Sequence, residues 1–245
     1  MKTEKVIVYA IKTLIPLAIV ILITNYFYPF ELSKQENLDY LKSYGTTLLL
    51  TSSGLVIGLA GGFILAFLLC LKNNILTALI NEYLDFIRGI PIVLLLMIFA
   101  FYIFTEQGIM NIDNALYVAI IAIGLNSTAY VTEIIRSGIQ SVDKGQMEAA
   151  RAMGLSNLQA MRMIIFPQAL KNIIPALANE FISLFKETSV VSFISVIDLT
   201  FQSKIFQGIL YDPKPYIFAG VVYYASVKIF TVCVRILEAR LKKND

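Results

Sequence analysis

Long apolar stretches separated by short polar segments run through almost the whole chain. A helix that crosses the hydrocarbon core of a membrane needs roughly 20 mostly apolar residues. Six stretches reach that length, at residues 7–28, 46–71, 84–104, 115–136, 174–197 and 215–237. The pattern therefore predicts an all-α integral membrane protein with six transmembrane helices.

The first of these stretches begins like a secretory signal peptide, because Lys2 and Lys5 precede an apolar run. The apolar part, however, continues through Ile23 to Tyr28, and no small-residue cleavage site follows it. We therefore expect a retained N-terminal span, which together with an external loop makes up residues 1–43.

The composition agrees with a membrane protein and excludes several classes of function. The 245 residues are 58% hydrophobic and 15% charged, and a soluble domain of this size cannot bury so much apolar surface. A net charge of +3 is too small to indicate nucleic-acid binding. The chain contains no histidine, which excludes histidine-based catalysis, Ser-His and Cys-His pairs, and histidine-ligated metal sites. We expect neither a metal site nor an enzyme.

Positively charged residues concentrate in alternate segments between the predicted spans. Lys and Arg are enriched in cytoplasmic segments, so their positions indicate the orientation. The basic set consists of Lys2, Lys5, Lys72, Arg136, Lys144, Arg151, Arg162, Lys171, Arg240, Lys242 and Lys243. The intervening segments carry Glu31, Glu36, Asp39, Glu106, Asp113, Asp198 and Asp212. This bias predicts that both termini and the 137–173 segment lie in the cytosol.

The 137–173 segment carries the local signals of two helices separated by a glycine. Asp143 is a capping residue with Gln146 three positions later, and Gly154 stands where a left-handed residue ends a helix. Ser156 and Gln159 have the spacing of a capping box that opens a second helix. A helix–Gly–helix element is therefore predicted between two spans.

The two predicted helices have different surfaces. Ala149 and Ala150 give the first helix a small, flat surface beside Glu148 and Arg151. The second helix ends just before Pro167 and carries an apolar stripe of Leu158, Met161 and Ile165. Such a pair suits a groove on another protein, because alanines permit close approach. The residues alone equally allow an amphipathic pair that rests on the membrane surface.

One motif in this segment resembles the E-A-A motif of ATP-binding-cassette importer permeases, which is E-A-A, three residues, G, nine residues and I-x-L-P. The positions that match are Glu148, Ala149, Ala150, Gly154, Ile164 and Pro167. The sequence departs from the pattern only at Phe166, where leucine is usual and the side chain is still apolar. The resemblance favours docking on a partner protein over the membrane-surface alternative.

Further motifs, in the same order, resemble those of the polar amino acid permeases, the histidine/glutamine/arginine permease-like group of that family. Residues 88–91, Arg-Gly-Ile-Pro, are similar to R-G-T-P, and residues 186–189, Lys-Glu-Thr-Ser, are similar to K-D-T-S. Residues 126–136 resemble the fourth-span motif. The resemblance covers roughly residues 44–240, so the first span lies outside a five-helix core and residues 241–245 form a cytosolic tail.

The resemblance implies a permease subunit of a polar amino acid importer in the bacterial cytoplasmic (inner) membrane, without covalent chemistry in this chain. A second permease copy, identical or a related paralogue, would complete the translocation path. A cytosolic ATPase dimer would use ATP and Mg²⁺, and an extracytoplasmic binding protein would deliver the amino acid. This chain itself would bind no cofactor. The residues coupled to the ATPase would be Glu148, Ala149, Ala150, Arg151, Gly154 and Pro167.

Charged residues inside a span are costly and tend to face a cavity or a partner. The fifth predicted span contains or adjoins Glu180, Lys186 and Glu187, with Ser189 close by. A zwitterionic amino acid requires one group for its carboxylate and one for its ammonium, so this mixed set is suited to a substrate pathway. The alternative is an internal Lys–Glu pair that closes the bundle or its dimer interface.

Polar residues also occur in the third and fourth spans. Asn126 and Thr128 lie deep in the fourth span and are expected either to line the pathway or to hydrogen-bond between helices. Glu133 and Arg136 are one turn apart and predict a local bridge or gate contact. Asp85 and Arg88 are three residues apart at the start of the third span, with Pro91 close behind, and we expect them to form a structural hinge near the cytosolic surface.

Gly54, Gly58 and Gly62 recur at every fourth position of the second span. Small residues at this spacing let two helix backbones approach closely. Packing inside the bundle and contact between subunits would both satisfy the pattern.

Two other classes of function compete with the importer hypothesis. A secondary transporter or channel would use the fifth-span charges for ions or protons, but no inverted repeat is evident and the E-A-A motif would have no purpose. A membrane protease would need a Ser-Lys pair such as Ser189 with Lys186, yet both residues lie in the family-like Lys-Glu-Thr-Ser run. The importer permease accounts for the whole set of motifs.

Overall fold

The structure is a computed structural model that describes residues 15–16, 18–29, 31–71, 73–105, 108–110, 112 and 114–241. All regular structure in these ranges is helical. The helices are α1 (Ala18–Phe27), α2 (Lys34–Leu69), α3 (Asn74–Gly89), α4 (Ile92–Ile98), α5 (Ala115–Gln140), α6 (Lys144–Ala152), α7 (Asn157–Ala160), α8 (Phe166–Glu187), α9 (Leu199–Leu210) and α10 (Lys214–Leu241).

The pair α2 and α5 forms the centre of the bundle. A Cβ atom added to Gly54, Gly58 or Gly62 would lie 2.3–2.5 Å from a side-chain atom of α5, closer than any van der Waals contact. Only glycine permits this approach of the two backbones. The glycine stripe predicted from the sequence therefore packs inside this chain, on Ile123, Ser127 and Val131.

Among the described residues, α2, α5 and α10 are long and apolar enough to cross a membrane individually. A fourth span is reached if α3 and the following helical run Ile92–Ile103 are counted together, although they meet at an angle of 103°. The span predicted over residues 84–104 therefore contains a sharp bend. Pro91 lacks a backbone N–H and restricts the residue before it, so α3 ends at Gly89 and the chain turns.

The fifth predicted span also has different bounds in the structure. α8 begins at Phe166 and ends at Glu187, and a 3₁₀ segment, Thr188–Ile194, follows it. Ser195 then adopts a left-handed conformation with φ 62°, and Asp198 caps α9, an element the sequence pattern does not predict. Ser and Thr side chains that bond nearby carbonyls compete with the regular helix here, which explains the tighter turns.

The second span starts earlier than its apolar stretch. A capping box of Ser33 and Glu36 opens α2, twelve residues before the predicted start at residue 46. The boundary that we predicted between residues 43 and 44 therefore falls inside a helix. Tyr40, in this first part of α2, packs edge-to-face on Phe206 of α9 and Phe218 of α10.

Part of the first predicted span and several charges used for orientation lie outside the described residues. The structure describes α1 only from Ala18, so the beginning of the 7–28 prediction is not covered. The charged residues concerned are Lys2, Lys5, Lys72, Glu106, Asp113, Lys242 and Lys243.

Candidate functional site

The first helix of the 137–173 segment is closed at both ends by local hydrogen bonds. At its start, the Asp143 carboxylate accepts the N–H of Gly145 at 2.7 Å. At its end, Gly154 has φ 89°, its N–H donates to the Arg151 carbonyl at 3.0 Å, and Leu155 N–H donates to the Ala150 carbonyl at 3.2 Å. This is a Schellman motif, in which a glycine takes the left-handed position. The sequence-based prediction of these two ends is confirmed.

The second helix begins as predicted but does not end before the next span. Ser156 and Gln159 form the reciprocal capping box, with the Ser156 N–H donating to Oε1 of Gln159 at 2.8 Å. From Asn157 the chain stays helical through a π-helical turn, Met161–Ile165, directly into α8. Pro167 was expected to follow the helix. It lies instead within the helical run, at the start of α8 directly after the π-helical turn.

The residues of the E-A-A motif differ in how far their side chains are exposed to solvent. Glu148, Ala149 and Arg151 are exposed, whereas Ala150 is only 2% exposed and packs against the chain itself. The interpretation of Ala149 and Ala150 as one flat external surface is therefore wrong for Ala150. A helix presents neighbouring residues in different directions, about 100° apart, so two consecutive alanines do not share a face.

The tip of the 137–173 segment is apolar as well as charged. Met153 is 84% exposed and Leu158 is 77% exposed, although both are large hydrophobic residues. Of the predicted stripe, Leu158 faces outward, Met161 is half-buried and Ile165 is buried. Exposed apolar groups on the same segment as Glu148 and Arg151 form a surface of the kind that contacts another protein or a membrane.

The three predicted gate residues meet at one point between α3 and α5. Arg136 contacts Glu133 at 2.7 Å, and Arg88 reaches the same carboxylate oxygen at 3.9 Å. Arg88 also approaches Asp85 at 3.4 Å. The structure thus brings together residues that the sequence placed in separate motifs. Through the shared Glu133 carboxylate, α5 contacts the last turn of α3, just before the bend. Their role as a gate stays a prediction.

A second junction joins α2, α5 and α8 through polar groups. The Ser127 hydroxyl donates to Oε1 of Glu180 at 3.4 Å, and Ser127 itself is fully buried. Ser127 fits only because Gly58 lacks a side chain, since a Cβ there would lie 2.3 Å from its oxygen. Sequence reasoning missed Ser127, although it stands in the 126–136 motif and lies four residues after Ile123, on the face that meets the glycine stripe.

The other polar residues of α5 are buried in different ways. The Thr128 hydroxyl donates to the Gly124 carbonyl at 2.8 Å and lies 3.5 Å from the Ile57 carbonyl of α2. That geometry matches the hydrogen-bonding alternative for Thr128 and leaves no free donor for a pathway. Asn126 is 3% exposed, so it too lies inside the bundle of this chain.

The charges at the end of α8 lie close together without a direct ion pair inside this chain, so both the substrate pathway and a contact at the dimer interface stay predictions. Lys186 is exposed and Glu187 is half-buried, and no ion pair joins Lys186 to Glu187 or Glu180 within the part of the chain that the structure describes. Glu180 and Glu187 are two turns apart and therefore lie on one side of α8. Tyr130 of α5 is within electrostatic range of both carboxylates. The Ser189 hydroxyl donates to the Lys186 carbonyl at 2.8 Å.

One buried carboxylate was counted only as a loop charge in the sequence. Asp198 is fully buried, accepts the Phe201 N–H at 2.8 Å and contacts the Tyr223 hydroxyl at 3.2 Å. The next residue, Leu199, donates its N–H to the Thr47 hydroxyl at 3.2 Å. These contacts join α2, α9 and α10 at the end of the bundle opposite the 137–173 segment, and they give Asp198 a structural role.

No cluster of three metal-ligating side chains occurs in the ranges that the structure covers. The candidate site therefore consists of an exposed surface on α6 and α7 that is both charged and apolar, a set of polar groups on α5 and α8, and a helical run that connects them.

Comparison with known families supports a transport protein. The profile of a family described as "binding-protein-dependent transport system inner membrane component" matches residues 54–243. The arginine transport system permease protein ArtQ of Bacillus subtilis (strain 168) is 37% identical over 206 residues, 84% of this chain and 93% of that protein. The L-cystine transport system permease protein TcyL of the same strain is 35% identical over 216 residues, 84% of this chain and 90% of that protein.

Solved structures give the same result for the fold. A crystal structure of an amino acid ABC transporter with histidines has a TM-score of 0.79 and 38% identity, and the match covers 84% of this chain and 95% of that one. The inward-facing MetNI methionine ABC transporter has a TM-score of 0.68 at 18% identity, covering 86% of this chain and 99% of that one. The second similarity concerns the fold alone.

Proposed function

Because this chain belongs to the family of binding-protein-dependent transport system inner membrane components, we propose that it is the membrane-spanning subunit of an ATP-driven importer of polar amino acids. Its relatives include permeases of amino acid ABC transporters. It works in the bacterial cytoplasmic membrane with both termini in the cytosol. Transport is its task, and a separate cytosolic ATPase dimer hydrolyses ATP with Mg²⁺.

The continuous helix from Asn157 to Glu187 is the observation that carries this proposal. α8 alone has 22 residues and spans about 33 Å, so one continuous helical run, which contains Pro175, leads from the 137–173 segment to Glu180 and Glu187. The Schellman motif at Gly154 and the capping box at Ser156 hold α6 at a defined angle to this element. A displacement of α6 by the ATPase therefore moves the polar groups of α8.

The docking contact has two components. Glu148 and Arg151 provide charge that orients the partner, and the exposed Met153 and Leu158 provide apolar area. Interfaces gain most of their affinity from buried apolar side chains, while charges at the rim contribute specificity. Ala149, which is exposed between them, permits the partner's surface to approach closely.

The pathway forms between two copies of the permease, identical or paralogous, and an extracytoplasmic binding protein delivers the amino acid. Glu180, Glu187 and the exposed Lys186 are charged groups of α8, and Ser189 lies in the 3₁₀ segment that follows this helix. Such groups inside a membrane face a water-filled cavity or a partner subunit. Two states of the bundle, open to either side, are biased differently by ATP and by substrate.

Charge reversal at Glu148 tests the coupling. In Glu148→Lys, we expect the ATPase to be lost from the purified complex and ATP-dependent uptake to fall by at least tenfold, because a docking charge is inverted. The measurement is co-purification of the ATPase and uptake into proteoliposomes. Glu31→Lys makes the same charge change at an exposed position outside the 137–173 segment and should retain the ATPase. Full ATPase recovery with Glu148→Lys would show that α6 is not the docking helix.

A further inference from the structure

A cavity lined by both polar and aromatic side chains lies where α8 ends and α9 begins, at the end of the bundle opposite the 137–173 segment. Its volume is about 440 Å³, which is within the range of small-molecule sites. Four of its lining residues carry hydroxyl groups on short side chains, one is a lysine and three are aromatic. The lining residues are Ser189, Ser192, Phe193, Ser195, Thr200, Phe201, Lys204 and Tyr216. We call this space the α8–α9 cavity.

Two serines present acceptor oxygens to the α8–α9 cavity. The Ser189 hydroxyl donates its proton to the Lys186 carbonyl at 2.8 Å, and the Ser192 hydroxyl donates to the Ser189 carbonyl at 2.9 Å. A hydroxyl has one proton and two lone pairs, so each of these oxygens keeps its lone pairs for another donor. Neighbouring acceptors of this kind suit an ammonium group, which has only donors.

Lys204 adds a positively charged group to the same cavity. Its side chain is exposed, and the ammonium lies 5.8 Å from the centre of the Phe201 ring, in the range of a cation–π contact. Within the described residues no carboxylate forms an ion pair with it. The contact with Phe201 restrains the side chain while its N–H groups remain available for an anion.

The backbone at the rim of the α8–α9 cavity is strained. Ser195 has φ 62°, a left-handed conformation that a residue with a side chain adopts at a cost of about 1 kcal/mol or more. Its N–H donates to the Ser192 carbonyl at 3.2 Å, which closes the 3₁₀ segment next to Ser192. Strain of this kind persists where the surrounding structure holds it, often at binding sites.

From these observations we propose that the α8–α9 cavity binds the headgroup of a free α-amino acid, with the carboxylate on Lys204 and the ammonium on the hydroxyl oxygens of Ser189 and Ser192. The site recognises the part that all amino acids share, so the variable side chain points away from these three residues. The inference rests on the proposed function, for which it supplies a first site on the side where substrate is delivered. The headgroup of phosphatidylserine has the same two groups and is the competing source of this chemistry.

Equilibrium binding tests the proposal on the permease–ATPase complex in phosphatidylcholine nanodiscs, without the binding protein. The probes are arginine, glutamine, cystine and the α-carboxamide of whichever binds most tightly. We expect Lys204→Gln to weaken binding of that amino acid by about tenfold or more, because a charge-assisted hydrogen bond is lost. The wild-type complex should prefer the amino acid over its carboxamide, and Lys204→Gln should abolish this preference. Lys204→Arg should restore it.

A matched control is Lys42→Gln, which removes an exposed lysine of α2 that pairs with Asp39 at 3.3 Å, outside the cavity. This variant should keep the wild-type affinity and the preference for the free carboxylate. An unchanged preference in Lys204→Gln overturns the proposal, as does a wild-type complex that binds none of the probes. Displacement of the bound amino acid by nanodiscs that contain phosphatidylserine also overturns it, because the occupant is then a lipid.

The outcomes separate this inference from the proposed function. If uptake depends on ATP and on Glu148 while Lys204→Gln behaves as wild type, only the cavity assignment fails. If the wild-type complex shows no ATP-dependent uptake of any amino acid, the proposed function itself fails.

Discussion

At the residue scale, glycines that lack a side chain determine the packing of this protein as much as the polar groups do. Gly58 is the strongest case, because its lack of a Cβ lets Ser127 lie between α2 and α8 and donate to Glu180. A charged residue in a membrane needs such a partner to limit the cost of burial. The small residue and the polar contact therefore depend on each other.

Substitution of Gly58 by alanine tests this dependence. The added Cβ would lie 2.3 Å from the Ser127 oxygen, so we expect Gly58→Ala to lower the free energy of unfolding by about 1–3 kcal/mol. Thermal unfolding in detergent measures the change. Gly45→Ala in the same helix meets no atom within 4 Å and should be neutral or slightly stabilising, since alanine favours helices. Equal effects of the two variants would contradict the close-packing argument.

At the element scale, the feature of most consequence is the helical run from Asn157 through α8. The sequence predicted a break at Pro167, and the structure places that proline in the first turn of α8 instead. A proline in a helix interior removes an N–H donor and crowds the carbonyl four residues earlier, which kinks or breaks the helix. Here a π-helical turn precedes Pro167, and the two helices become one continuous helical run.

The turn between α6 and α7 should transmit motion only while its geometry is kept. Gly154 has φ 89°, and a side chain in that region costs about 1–2 kcal/mol. We expect Gly154→Ala to keep the ATPase bound but to lower uptake per ATP hydrolysed several-fold, because α6 is reoriented against α8. The ratio of uptake to ATP hydrolysis in proteoliposomes measures this.

Two further variants give this measurement its controls. Gly154→Asn should recover most of the coupling, since asparagine tolerates the left-handed region. Gly208→Ala has open space and an ordinary backbone conformation, so it should behave as wild type. A normal ratio of uptake to ATP hydrolysis in Gly154→Ala would show that coupling does not depend on the angle between α6 and α8.

At the scale of the whole molecule, two polar ends lie on opposite sides of an apolar bundle. One end carries Glu148 and Arg151 with the apolar tip of the 137–173 segment, and the other carries the buried Asp198 and the α8–α9 cavity. Membership of the permease family assigns amino acid transport to the bundle between them. The orientation of the bundle in the membrane decides which end meets the ATPase.

Cysteine labelling from one side of the membrane tests that orientation. After Cys70 and Cys233, both exposed, are replaced by serine, a single cysteine is introduced at Ser156 or at Glu31. We expect a membrane-impermeant maleimide added to intact cells to label Glu31→Cys, and to label Ser156→Cys only after the cells are opened. The reverse pattern would refute the proposed topology.

Local patterns in the chain were sufficient to predict the helical class, the caps at Asp143 and Ser156, the left-handed Gly154 and the glycine stripe of α2. Each of these follows from interactions within a few residues or from the 3.6-residue period of one helix. The family motifs added the transport role, which the comparisons confirm.

Contacts between distant segments were decided only by the tertiary structure. The burial of Ala150, the continuation of α7 into α8, the bend after Gly89 and the meeting of Arg88 with Glu133 all depend on which helix faces which. Hydropathy cannot report these, because it measures the preference of a residue for an apolar environment and carries no information on the partner. Packing selects that partner by shape, over distances that no local pattern in the sequence covers.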